Sequence, residues 1–148
     1  MTQTSKAPEI GRSIRASGVL TNYHEAGSGT PVVLIHGSGP GVSAWANWRF
    51  AIPYLAEQFH VFAYDQLGFG YTELPESPQY GLEQWTTHLF DFMDAVGVRK
   101  AHVVGNSMGA AVALAAAVKH PERVDRLVLM GPMGVHFPIT EGLDAVWG

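Results

Sequence analysis

The sequence contains no cysteine. That absence excludes disulfides, thiolate metal sites and a thiol nucleophile. Charge is also scarce: Lys, Arg, Asp and Glu make up 15% of the 148 residues, and the net charge is −4. Phosphate recognition needs clustered Lys and Arg, so nucleic acid is not an expected partner. No apolar run is long enough to span a bilayer, so no membrane association is expected either. Residues Met1 to Arg12 lack the apolar core of a signal peptide, which leaves a cytoplasmic protein as the plain expectation. Repeats, low-complexity segments and linkers are missing too.

What is present is apolar sequence, 47% of the chain, broken into short runs. Ser13–Ser17 and Leu20–Glu25 alternate polar and apolar residues, which predicts a hairpin with one wet face. Pro31–His36 (PVVLIH) and His60–Asp65 (HVFAYD) are continuously apolar, as strands covered on both faces are. Ala101–Val104 and Arg126–Met130 are two further runs. Between them, helical spacing is visible over Ser43–Glu57 and Leu82–Val96, the second closed by Gly97. A small-residue helix, Ala110–Lys119, ends at His120-Pro121. Strands alternating with helices predict an α/β fold, a mostly parallel sheet with helices on both faces. Ligands on such sheets bind at the carboxyl ends of the strands, so the loops after His36, Asp65 and Val104 should carry the chemistry.

Gly105-Asn106-Ser107-Met108-Gly109 fits the G-x-S-x-G nucleophile elbow. The bare pattern is only moderately specific; its context, VV before and AAVALAAAV after, is the strand-to-helix turn the elbow requires. Side chains at either glycine would collide with the neighbouring strand and helix, and the serine between them sits in a strained turn. The competing reading is that Ser107 simply caps the following helix, which explains neither glycine. Acyl chemistry on a serine also needs two backbone N–H donors aimed at the oxyanion. One is expected from Met108, the residue after the nucleophile; the other belongs to the Gly-rich loop His36-Gly37-Ser38-Gly39-Pro40-Gly41. A plain flexible turn is the alternative for that loop. A phosphate loop fits poorly, since no Gly-Lys-Ser/Thr occurs.

His36 to Arg49 (HGSGPGVSAWANWR), Asp65-Gln66-Leu67-Gly68-Phe69-Gly70 and the elbow together resemble the meta-cleavage product hydrolases. These α/β-hydrolases cleave a C–C bond in ring-opened catechols. The likeness runs from Glu9-Ile10-Gly11 to Gly142–Gly148, and is strongest to members acting on 2-hydroxymuconic semialdehyde and its alkyl analogues. The resemblance implies that Ser107 is the catalytic serine and that the N–H groups of Ser38 and Met108 form the oxyanion hole. It places Gly37, Gly39, Asn47 and Asn106 in the substrate site, with the two asparagines on the dienoate end. For Asn106 the alternative is a turn residue, and for Asn47 a solvated helix position. His36 is expected to support its loop by hydrogen bonding, and Asp65 to organise Gln66–Gly70. No cofactor or metal is implied; the partner is a small-molecule substrate, and the full-length protein should be a homo-oligomer.

The chain also departs from that family. Ala110 and Ala111 stand where glycines are usual, and Tyr64-Asp65-Gln66 replaces Pro-Asp-hydrophobic. The elbow order is Ser, acid, His, yet after Ser107 only Glu122, Asp125, Glu141, Asp144, His120 and His136 are available. None stands where the acid or base is expected. Residues 1–148 therefore read as the N-terminal part of a single α/β-hydrolase domain, without the lid and the last two strands. Alone, such a chain is expected to be nearly inactive. A carboxylesterase or lactonase on the same fold, and a non-catalytic binding fragment, are the competing functions.

Overall fold

The computed structural model describes residues 7–136. Arg12–Ala16 (β1) and Val19–Ala26 (β2) form the expected hairpin, and β2 pairs antiparallel with His60–Tyr64 (β4). Pro31–Ile35 (β3) lies parallel between β4 and Ala101–Asn106 (β5), and Val124–Met130 (β6) pairs parallel with β5. The sheet order is β1-β2-β4-β3-β5-β6. Both predicted central strands are buried: β3 and β4 have no exposed residue.

Their two faces feed two cores. Val33, Ile35, Phe62 and Tyr64 point to one side, where Leu82–Ala95 (α3) and Met108–Lys119 (α4) bury Leu89, Phe92, Met93, Val112 and Ala116. Val32, Leu34, Val61 and Ala63 point to the other, against Ala44, Trp48 and Ile52. Strand alternation thus assigns each residue to a layer. Helix α3 ends in a Schellman motif at Gly97 (φ 77°), with Val98 N–H donating to Met93 O at 2.8 Å and Gly97 N–H to Asp94 O at 3.1 Å.

Several boundaries differ from the sequence reading; strand β5, for one, runs on to Asn106 rather than ending at Val104. The expected helix over Ser43–Glu57 is two short ones, Ala44–Trp48 (α1) and Ala51–Leu55 (α2). Pro53 has no N–H to give to the Arg49 carbonyl, and its ring crowds that oxygen, so a helix restarts with proline in its first turn. Helix α4 begins at Met108 rather than Ala110, because Ala110 and Ala111 N–H already donate to Ser107 O at 3.0 and 3.3 Å. Strand β6 begins at Val124 rather than Arg126, since Val124 pairs with Ala101 although Asp125 and Arg126 are exposed.

Candidate active site

Ser107 is the single residue between the end of β5 and the start of α4. Reversing the chain within one residue forces it to φ 56° and ψ −115°, a region that side chains other than glycine rarely occupy. The surrounding structure holds it there: Ser107 N–H donates to Met130 O at 2.8 Å, and Ser107 O accepts from Ala110 and Ala111. Its hydroxyl caps nothing, although the residue stands at the N-cap position. The simple capping role is therefore not what the serine does.

The elbow glycines bring three backbones together. A Cβ on Gly105 would strike Gly109 O and, at 2.6 Å, Ala110 Cα. One on Gly109 would strike Ile35 O and His36 O. The start of α4 therefore rests directly on the end of β3. In the loop that follows β3, a Cβ on Gly37 would lie 3.2 Å from Ser107 Cβ and 3.3 Å from Asn106 O. The Gly-rich loop is packed against the serine. Ser38 and Gly39 are exposed beside it, and Met108 is buried. Among the described residues, neither the Ser38 nor the Met108 N–H donates to any acceptor.

Asn47 and Asn106 also meet here. Asn47 Oδ1 accepts from Gly37 N–H and from Asn106 Nδ2, both at 3.1 Å. Asn106 keeps strand geometry, paired with Met130, and is not a left-handed turn residue. Asn47 is half-buried on α1, not a solvated helix position. Both amides are thus built into the junction between loop and elbow.

Two expected supporting residues behave as structural groups. The Asp65 carboxylate is fully buried and accepts from Ala44 N–H (2.6 Å), Asn22 Nδ2 (2.8 Å) and Tyr71 N–H (2.9 Å), tying α1, β2 and the loop after β4 together. His36 is fully buried; Gln66 N–H donates to its Nε2 at 2.9 Å, so the proton sits on Nδ1 and is given to Gly37 O at 2.6 Å. Burial depresses its pKa, against the opposing pull of that carbonyl and of Asp65, and the ring is neutral.

Sequence reading missed His88 and assigned Gln66 no role beyond its departure from the family pattern. His88, on α3, accepts from Leu67 N–H at 3.1 Å and donates from Nε2 to Thr21 Oγ1 at 2.8 Å. Burial lowers its pKa to about 4, opposed by Asp91 and assisted by His36. Two neutral imidazoles from opposite elements therefore hold the consecutive N–H groups of Gln66 and Leu67. The only sequence signal was a polar residue inside an apolar pattern.

Among the described residues, no acid or base is hydrogen-bonded to the Ser107 hydroxyl. His120 caps the far end of α4, about 18 Å along the helix axis, and pairs with Glu122. Asp125 pairs with Lys100 and His102, and His136 is exposed. Glu141 and Asp144 lie outside the described residues. No group of three or more His, Asp or Glu able to hold a metal occurs among the described residues. A cleft of about 600 Å³ separates the loops after β3 and β4, walled by Glu9, Gly39, Val42, Phe69 and Tyr71, and Ser107 does not line it. The described residues form the floor of a site rather than an enclosed pocket.

A family model described as the alpha/beta hydrolase fold matches residues 30–147. The chain belongs to the α/β-hydrolase family. Within it, the chain is 56% identical over its whole length to a 2-hydroxymuconate semialdehyde hydrolase of Pseudomonas sp. (strain CF600), covering 52% of that protein. It is 52% identical over 98% of its length to a 2-hydroxy-6-oxo-2,4-heptadienoate hydrolase of Pseudomonas putida, again covering 52% of that protein. Among solved structures it resembles a meta-cleavage product hydrolase from Pseudomonas fluorescens IP01, a serine-to-alanine mutant complexed with acetates. There the TM-score is 0.87 and the identity 55%, over 95% of this chain and 52% of that one. The chain spans about half the length of the curated relatives it matches. The α/β-hydrolase fold and its incompleteness both follow from these matches. No helix among the described residues is long and apolar enough to cross a membrane.

Proposed function

We propose that this chain supplies the nucleophile and oxyanion half of a serine-dependent hydrolase. Its substrates would be ring-opened catechol products, the 2-hydroxy-6-oxo-dienoates of the 2-hydroxymuconic semialdehyde type. The observation that carries the reading is Ser107 at φ 56°, ψ −115°, packed against Gly37 with the Met108 N–H uncommitted. The names borne by relatives 52–56% identical point to the substrate class.

In this reading the dienol first ketonises, and Ser107 Oγ attacks the remote carbonyl. The N–H groups of Ser38 and Met108 receive the oxyanion as it forms. Collapse breaks the adjacent C–C bond, and its electron pair passes into the conjugated keto acid, which takes up a proton. Water then hydrolyses the acyl-serine. Asn47 and Asn106, with Gly37 and Gly39, face the dienoate portion. The acid–base histidine and its carboxylate are not among the described residues and complete the machinery from elsewhere in the whole enzyme. The substrate's own conjugation is the electron sink, so the proposal calls for no metal or organic cofactor. By the same resemblance to these relatives, we place the whole enzyme in the cytoplasm as a homo-oligomer.

The fold also hosts other chemistry: an epoxide hydrolase structure is 34% identical, with a TM-score of 0.75. The test is turnover by a chain completed to its relatives' length. Loss of the yellow dienolate absorbance is expected. Hydrolysis of a p-nitrophenyl ester with no loss of that absorbance would assign a carboxylesterase or lactonase instead.

A further inference from the structure

We propose that Gln66 is a positioning residue for the oxyanion hole, gripping His36 at two points so that His36 aims the Ser38 N–H. The inference rests on the reading of Ser107 as an acyl-forming nucleophile.

The geometry concerns two consecutive peptide planes. The His36–Gly37 plane is pinned at both ends: Gln66 Nε2 donates to His36 O at 2.7 Å, and Gly37 N–H donates to Asn47 Oδ1 at 3.1 Å. The next plane, Gly37–Ser38, is pinned at its carbonyl, which accepts the His36 Nδ1 proton at 2.6 Å. In a trans peptide the C=O and N–H point in opposite directions. Ser38 N–H is therefore turned away from the buried imidazole, toward the open side of the loop. Among the described residues it has no acceptor.

His36 can do this only in one tautomer. The Gln66 N–H occupies Nε2, which leaves the proton on Nδ1, where the Gly37 carbonyl receives it. A single residue thus chooses the tautomer with its main chain and anchors the preceding carbonyl with its side chain. Any residue offers the main-chain donor. The side-chain donor is what Gln66 itself adds. Gln66 is fully buried and its Oε1 has no hydrogen-bond partner. An apolar residue would avoid that cost, so the amide is retained against desolvation. The same carbonyl faces Gly109 at the start of α4, so a shift there would be transmitted to the elbow.

The test uses Gln66→Met, which keeps the main-chain donor and the approximate volume but removes the amide. In the completed enzyme, kcat for p-nitrophenyl acetate should fall roughly tenfold, with KM within about twofold, because oxyanion donors act on the transition state. The Ser38 amide resonance should shift, and nitrogen-15 spectra of the unsubstituted chain should show His36 protonated on Nδ1. Unchanged kcat and an unmoved Ser38 resonance, or a proton on Nε2, would overturn the proposal. If Gln66→Met does not fold, the unsubstituted chain decides: a scalar coupling across the hydrogen bond from the Gln66 side-chain amide to the His36 carbonyl is expected, and its absence would overturn the proposal. An enzyme that cleaves the ester but not the dienoate would sink the substrate reading and leave this inference standing.

Discussion

At the residue scale, function and close packing coincide in the elbow. Ser107 adopts its strained backbone because Gly105 and Gly109 let β5, α4 and β3 touch main chain to main chain. A methyl group at Gly109 would press on two carbonyl oxygens that have no side-chain freedom to yield. Gly109→Ala should therefore destabilise the fold by about 2 kcal/mol or more, read as a lowered urea midpoint. A midpoint equal to the parent's would mean the backbones are not in contact. Asp65 invites a second substitution. Its carboxylate accepts three N–H donors and faces no cation among the described residues. Asp65→Asn replaces one acceptor oxygen with a donor facing another donor. It should loosen the loop Gln66–Thr72, seen as faster amide exchange at Tyr71, whereas Asp65→Ala should lose all three bonds and cost more.

At the element scale, α3 is tied to the loop after β4 by His88 and by Trp85, whose Nε1 donates to Leu67 O at 2.9 Å. His88 has a pKa near 4 in the folded chain, below the value of about 6.5 for an unfolded histidine. Between those values the unfolded chain binds more protons, so stability falls as pH drops from about 6.5 to 4 and levels off below. The full effect is about 3 kcal/mol. Urea unfolding at pH 7 and pH 5 should show the loss, and His88→Leu should reduce it; an identical pH dependence in both would remove His88 from this role. The elements themselves were legible because β3 and β4 are written in apolar runs and the elbow strand carries Val103-Val104 directly before the motif. The two-helix break over Ser43–Glu57 was also written, in Pro53, but helical spacing of Trp45, Trp48, Ile52 and Leu55 masked it. His88 and Gln66 were not legible in the same way. Their partners, Thr21, Leu67 and His36, lie on other elements, and periodicity carries no information about bonds across the fold. Ser107 stood out because its chemistry is local, whereas the roles of Asn47 and Asn106 required the approach of α1 to the elbow.

For the whole molecule, the sheet closes unevenly. Strand β6 is the last in the described sheet; Val128 and Met130 are about half exposed, at 51% and 47%, while β3 and β4 are buried on both faces. An apolar edge with unpaired backbone groups recruits other chains. The 148-residue chain by itself should therefore associate in sedimentation velocity at micromolar concentration, and a monodisperse monomer with a cooperative melt would contradict this. The proposed catalytic inventory is equally one-sided, with Ser107 and the Ser38 and Met108 N–H groups but no base assigned to the serine among the described residues. The central claim is that Ser107 forms the covalent bond. It is tested most directly by comparing Ser107→Ala with the parent in a chain completed to its relatives' length, measuring dienoate cleavage and dienoate binding together. The account predicts that cleavage falls by roughly 10⁴-fold or more while binding persists through Asn47 and Asn106. Cleavage near the parent rate by the alanine variant would contradict it.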